Sequence, residues 1–124
     1  MKIVPRNVHG ILDYLVGLLL AASPWLFHFA DGGPATFIPV VLGLGALLYS
    51  LLTDYELGVA RIIPFTTHLI LDFVSGVLLL VSPWLFGFHD HVYLPHVVFG
   101  LLEIGAAVMT RNDAVANINR VVRR

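Results

Sequence analysis

His9 is followed four residues later by Asp13, and His68 is followed four residues later by Asp72. On a helix this spacing sets both side chains of a pair on one face, within hydrogen-bonding reach. Imidazole and carboxylate together can do two kinds of work. They can form a charge-assisted cap that pins the start of a helix, with Arg6 or Arg61 nearby. They can also form a shared site for protons, a cation or a divalent metal, since imidazole and carboxylate are both ligands for such ions. Glu103 adds a third carboxylate, roughly two turns from the inner end of the last apolar segment at a rise of ~1.5 Å per residue. A carboxylate at that depth is protonated, paired or turned to a hydrated cavity, and a Glu103 facing His9 or His68 would be paired. The five residues His9, Asp13, His68, Asp72 and Glu103 are therefore the candidate polar site. Haem held by His9 and His68 as axial ligands is a weaker alternative, because it needs a wide gap between the helices that carry them. No resident cofactor is expected.

A second set of polar residues comprises His28, His89, His91 and His96 with Asp31 and Asp90. They could bind a transition metal, but solvated loop histidines are the simpler reading. No Gly-rich phosphate loop, serine triad or HExxH pattern is present, so the chain carries no enzyme signature. It has no cysteine, which excludes thiol catalysis and thiolate metal sites.

The two His–Asp pairs belong to a larger repetition. Residues 2–29 read KIVPRNVHGILDYLVGLLLAASPWLFHF and residues 61–88 read RIIPFTTHLILDFVSGVLLLVSPWLFGF. They align without a gap at a shift of 59 residues, and fifteen of the twenty-eight positions are identical, which marks an internal duplication. Farther along, Gly43 matches Gly100 and Thr53 matches Thr110 at a shift of 57, whereas Glu103 faces Ala46 in the comparison. The most distinctive shared element is Ser23-Pro24-Trp25, repeated as Ser82-Pro83-Trp84. Proline within a helix removes one hydrogen bond and would free the carbonyls of Leu20 and Leu79. Alternatively, each serine is an N-cap and each proline opens a short outer helix. Either way the motif is structural, with both tryptophans at the outer interface.

The repeated Ser-Pro-Trp motif resembles that of the SPW repeat family of small integral membrane proteins. The resemblance implies two transmembrane helices per repeat, with the motif in the first of them, and brings no activity with it.

Composition supports the same architecture independently. Of 124 residues, 58% are hydrophobic and 12% charged, against the roughly 25% charged residues of an ordinary soluble domain. Mean hydropathy is +0.88. With a formal net charge of −1 there is no basic footprint for nucleic acid. Four apolar stretches, at Val8–Phe29, Phe37–Leu52, Thr67–Phe88 and Tyr93–Met109, suit membrane helices, the second and fourth at the short end of the range. The first is expected to be mature structure, since it recurs in mid-chain where no signal peptide sits.

The reading is an all-α, single-domain, four-transmembrane-helix bundle over residues 1–124. Repeats at 2–57 and 61–113 are related by a pseudo-twofold axis along the membrane normal. Gly17, Gly43, Gly45, Gly76, Gly100 and Gly105 are candidates for close helix approach. Lys2, Arg6, Arg61, Arg111, Arg120, Arg123 and Arg124 all fall on the side shared by the termini and the middle link. Both termini are therefore expected in the cytoplasm, as in a prokaryotic plasma (inner) membrane protein. The tail 111–124 repeats apolar residues at helical spacing among arginines, and is expected either to lie on anionic lipid as an amphipathic helix or to fray. The expected function is a structural or interaction module, with lipid and a further copy or another membrane protein as partners. Ion, proton or metal binding or transport at the His/Asp/Glu cluster is the alternative.

Overall fold

Each repeat begins with a proline in extended conformation, Pro5 or Pro64, whose carbonyl accepts the backbone N–H of His9 or His68. A proline cannot continue a helix backwards, so the first helix of each repeat starts immediately after it. In the computed structural model, which describes residues 3–110, four helices follow in order: α1 (Arg6–Leu26), α2 (Pro34–Leu51), α3 (Phe65–Leu85) and α4 (Leu94–Met109). The first three are long and apolar enough to cross a membrane, and α4, with 16 residues, is shorter. The expected tail helix at 111–124 lies outside the described residues, as do Lys2, Arg111, Arg120, Arg123 and Arg124.

The distribution of polarity is that of a protein surrounded by lipid. Among the described residues, twelve buried side chains are polar or charged and only eight are hydrophobic, while Leu15, Val41, Leu44, Val74, Leu85 and Leu101 are exposed. In water this arrangement would desolvate polar groups and leave apolar ones wet. In hydrocarbon it is the favourable one, because polar groups must find their partners inside the bundle.

The helices form two antiparallel hairpins. α1 packs chiefly on α2 and α3 on α4, with a smaller α2–α3 seam, a thinner α1–α4 seam, and the diagonal pairs α1–α3 and α2–α4 barely touching. Glycines permit the close crossings. A Cβ at Gly43 would come within 2.6 Å of the Ala21 nitrogen and 2.8 Å of the Gly17 carbonyl oxygen, and one at Gly100 would lie 2.8 Å from both Gly76 O and Leu80 N. Gly45 and Gly105 face open space, so they are not part of these crossings.

The hairpins are laced to each other by their ends. Val4 forms a parallel bridge with Thr110, and Thr53 forms one with Ile63. Val4 N–H donates to Met109 O at 2.9 Å, and Ile63 N–H to Leu52 O at 2.7 Å. The segment entering each first helix thus pairs with the end of the other repeat's second helix. Both first helices start at the same end of the bundle, as a twofold along the bundle axis requires.

The helix boundaries differ from the expected ones in the same way in both repeats. α1 and α3 start two residues early and stop at Leu26 and Leu85, because the chain turns out of the helix just after the tryptophan. The turn uses equivalent left-handed positions, His28 at φ 58° and Gly87 at φ 73°. Ser23 and Ser82 lie inside their helices, which removes the N-cap reading. Ser23 Oγ donates to Leu20 O and Ser82 Oγ to Leu79 O, both at 2.7 Å. These are the two carbonyls deprived of a backbone donor by Pro24 and Pro83. The serine supplies the missing hydrogen bond, and the proline can then sit fully buried in the last turn. Trp25 and Trp84 emerge beside it, 59% and 54% exposed, at matching positions.

Ser23→Ala should therefore weaken the fold by about 1–3 kcal/mol, since it leaves a buried carbonyl without a donor. Pro24→Ala in that background should recover most of the loss, because the restored N–H reaches the same oxygen. Unfolding in mixed micelles with rising SDS measures both; no recovery in the double variant would show that the serine stabilises in some other way.

Candidate functional site

α1 and α3 both start at the laced end of the bundle, diagonally across it from each other, and their fourth and eighth residues are His9 and Asp13, His68 and Asp72. At ~1.5 Å per residue these lie about 4.5 and 10.5 Å along each helix. All four converge on the bundle interior. Within each helix the His–Asp contact is 3.0 Å (His9 Nε2 to Asp13 Oδ1) or 3.2 Å (His68 Nε2 to Asp72 Oδ2). Between helices it is tighter: 2.7 Å from His9 Nε2 to Asp72 Oδ2, and 2.8 Å from His68 Nε2 to Asp13 Oδ2. Of the two cross-helix contacts, His9–Asp72 is a well-aligned hydrogen bond, while His68–Asp13 is a close contact off the ring's donor axis. One ligand atom from each of the four residues lies within 4.8 Å of the others.

The other ring nitrogens fix the tautomers. His9 Nδ1 is 2.6 Å from Thr110 Oγ1, and His68 Nδ1 is 2.7 Å from Thr53 Oγ1. Each threonine hydroxyl donates its single proton to a carbonyl one turn back: Thr53 to Tyr49 O at 2.6 Å, and Thr110 to Ala106 O. A hydroxyl that has given its proton away can only accept, so both imidazoles carry hydrogen on Nδ1. Their Nε2 atoms are left facing carboxylates.

Each carboxylate also receives a phenol. Tyr49 OH donates to Asp72 Oδ1, and Tyr55 OH to Asp13 Oδ2 at 2.9 Å. Tyr55, in the middle link and almost wholly buried, has its ionisation pushed upward by burial and then by the Asp13 charge, so it serves as a donor. Phe65 roofs the site, stacking on His68 and meeting His9 edge-on. The Arg6 guanidinium lies 5.9 Å from the Phe65 ring centroid and grips Glu56 through bonds of 2.7–3.2 Å.

Glu103 is in the neighbourhood but not in the cluster. It is 9% exposed, and its Oε2 has no hydrogen-bond partner among the described residues. It lines a cavity of about 40 Å³ together with Asp13 and Asp72, between α1 and α4. The expectation that it would pair with a histidine is not met. The cavity has a simple origin. Ala106 stands where the first repeat has Tyr49, so one carboxylate is covered by a phenol from α2 and the α4 side is left with a void.

The outer histidines do not converge. His96 is buried, and its Nε2 donates to Ala35 O at 2.9 Å, tying the outer ends of α4 and α2. His91 lies 3.4 Å from Asp31, and His89 3.4 Å from Asp90, as separate exposed pairs. A haem between His9 and His68 meets a concrete obstacle: the Asp13 and Asp72 carboxylates occupy the space between the two Nε2 atoms.

The family assignment agrees with this architecture. The SPW repeat domain matches residues 7–110. The chain belongs to the SPW repeat family. Its two SPW repeats span the helices, both Ser-Pro-Trp motifs and every residue of the cluster. Searches of the curated proteins and of the solved structures found no match.

Tyr49, Thr53, Tyr55, Phe65 and Thr110 are site residues that the His–Asp spacing does not announce. The one sequence signal for any of them is the threonine shared by both repeats at a shift of 57.

The Arg6–Glu56 clasp is the part of the site open to water. The Arg6 guanidinium holds the Glu56 carboxyl below its usual range. A depressed carboxylate stabilises the fold above its unfolded pKa of about 4.3 and stops doing so as pH falls through the lower folded value. Both side chains are partly exposed, so the effect is small. Glu56→Gln should cost about 0.2–1 kcal/mol at pH 7 and nothing in acid, read from unfolding at both pH values. An equal deficit at both would assign Glu56 a role other than this ion pair.

Proposed function

We propose that this membrane protein works as a compact structural and interaction module whose two repeats are joined by a cation-balanced seam. The observation that supports this reading is the reciprocity of the cross-helix pairs. Each histidine of one repeat meets the aspartate of the other, and each donates its Nδ1 hydrogen to the other repeat's threonine, by a symmetrical rule: His9 to Thr110, His68 to Thr53. Neither repeat can bury its His–Asp pair this well alone.

The charge arithmetic explains why the seam holds. With Nδ1 already a donor, a bare Nε2 would set its lone pair against carboxylate oxygen, which is repulsive. A positive charge is needed in each contact, and two such charges balance two carboxylates in surroundings where lipid supplies no hydrogen bonds. In its simplest form the seam is two imidazolium–carboxylate pairs braced by two phenols. Breaking a buried pair by removing one partner is strongly destabilising, about 3–5 kcal/mol in other proteins, because the remaining charge is stranded.

The orientation follows from the distribution of basic residues: both termini and the middle link lie in the cytoplasm, which puts the seam at the inner side of a prokaryotic plasma membrane.

Two measurements test this. A cycle of His9→Gln, Asp72→Asn and the double variant, unfolded in the presence of a chelator, should give a coupling of about 1–3 kcal/mol. A coupling near zero would leave the seam without an energetic role. Reporters fused at Gly33 and after Asn112 should show opposite accessibility, with Asn112 inside; Asn112 outside would reverse the orientation.

A further inference from the structure

We infer that the seam is a binding site for one divalent first-row transition metal ion, Zn²⁺ foremost, with His9 Nε2, His68 Nε2, Asp13 and Asp72 as the ligands. This deepens the cation-balanced reading above and rests on it, by naming the cation.

Three features of the site favour a metal over a purely structural ion-pair cluster. The first is the donor set. Two imidazole nitrogens and two carboxylates make a borderline N₂O₂ set, suited to tetrahedral zinc, whose preferred ligands are of these types. Harder ions such as Mg²⁺ and Ca²⁺ prefer six or more oxygens.

The second feature is geometric. A tetrahedral ion with bonds of ~2.0–2.1 Å separates its ligand atoms by about 3.3–3.4 Å. The four histidine–aspartate N–O contacts are 2.7, 2.8, 3.0 and 3.2 Å, with His9 meeting Oδ1 of Asp13 and His68 its Oδ2. The near pairs would part by a few tenths of an ångström, and the atoms set farthest apart, up to 4.8 Å, would draw together by up to about 1.4 Å. The shell outside them is already arranged as metal sites require. Both imidazoles give their Nδ1 hydrogen to a threonine, which fixes the nitrogen that faces the ion, and both carboxylates are held by a tyrosine.

The third feature is the cavity. It is lined by both ligating aspartates and by Glu103, whose Oε2 is buried without a hydrogen-bond partner among the described residues. Leu102, which also lines it, is about half exposed on the thinly packed α1–α4 flank. Nothing in the ion-pair network uses Glu103. As a third carboxylate beside the site it provides a way station for an arriving dication.

The test uses the full chain, purified without a polyhistidine tag and stripped with chelator, and titrated with Zn²⁺ and separately with Co²⁺. One equivalent of Zn²⁺ should bind saturably and raise the unfolding midpoint. Co²⁺ should give the intense visible bands of four-coordinate N/O ligation, a signature the wild-type protein yields without any mutation. His9→Gln with His68→Gln should abolish the site, while His89→Gln with His91→Gln on the outer side should keep it. Glu103→Gln should keep the one-to-one stoichiometry and slow Zn²⁺ uptake several-fold. Weak, multi-equivalent binding, six-coordinate Co²⁺ spectra or a site that survives loss of both inner histidines would overturn the assignment; an unchanged uptake rate in Glu103→Gln would remove Glu103 from it. If metal binding fails while the His9–Asp72 coupling persists under chelator, the seam reading stands without the metal. If both fail, both fall.

Discussion

Two threonine hydroxyls that have already spent their protons decide the chemistry of this bundle. Because Thr53 and Thr110 each donate backwards to a helix carbonyl, the histidines that reach them must donate, and the remaining imidazole nitrogen is turned toward carboxylate. The surrounding architecture serves that arrangement. The prolines at 5 and 64 start α1 and α3 at one level, so their His–Asp pairs meet. The lacing of Val4 to Thr110 and Ile63 to Thr53 brings each threonine to the histidine it restrains. The glycine crossings at the middle of each hairpin draw the helices close enough for the polar side chains to span the seam.

The same economy of hydrogen bonds governs the other end of the bundle. Proline in the last turn of a membrane helix removes a donor where no water can replace it, and the preceding serine restores it. Ser and Pro in the motif are thus one unit, and the tryptophan beside them occupies the position where the helix reaches the interface. Polar residues are concentrated inside and apolar ones outside, so the stability of the fold depends on the completeness of its internal hydrogen bonds more than on the amount of apolar surface buried.

Much of this was legible in the chain. The duplication, the four apolar segments and the i, i+4 pairs specify a parallel arrangement of two hairpins, and period alone places His9 with Asp13 on one face. What could not be read was the rotation of each helix about its own axis. The two halves of a repeat follow different shifts, 59 for the first helices and 57 for the second, and only the folded geometry says which residues of α2 and α4 then face the seam. Tyr49 and Ala106 occupy equivalent places, yet one braces a carboxylate and the other leaves a void. Glu103 was identifiable as unusual for its depth, but its separation from the histidines depends on that void. The motif serine was ambiguous between cap and interior because both roles use the same hydroxyl; the observed bond to the carbonyl three residues back decides it.

The reciprocal pairing also bears on how such a protein could arise. One repeat alone holds half a seam, a histidine and an aspartate each lacking its opposite number, and two identical repeats related by a twofold axis would complete it. A pair of separate identical chains would have to change both halves together, so a tyrosine introduced on one side would appear on the other. Fusing the halves into one polypeptide frees them to diverge. Tyr49 opposite Ala106 and Ala46 opposite Glu103 are differences that two identical chains could not hold, and they give an otherwise symmetrical seam one filled flank and one with a cavity.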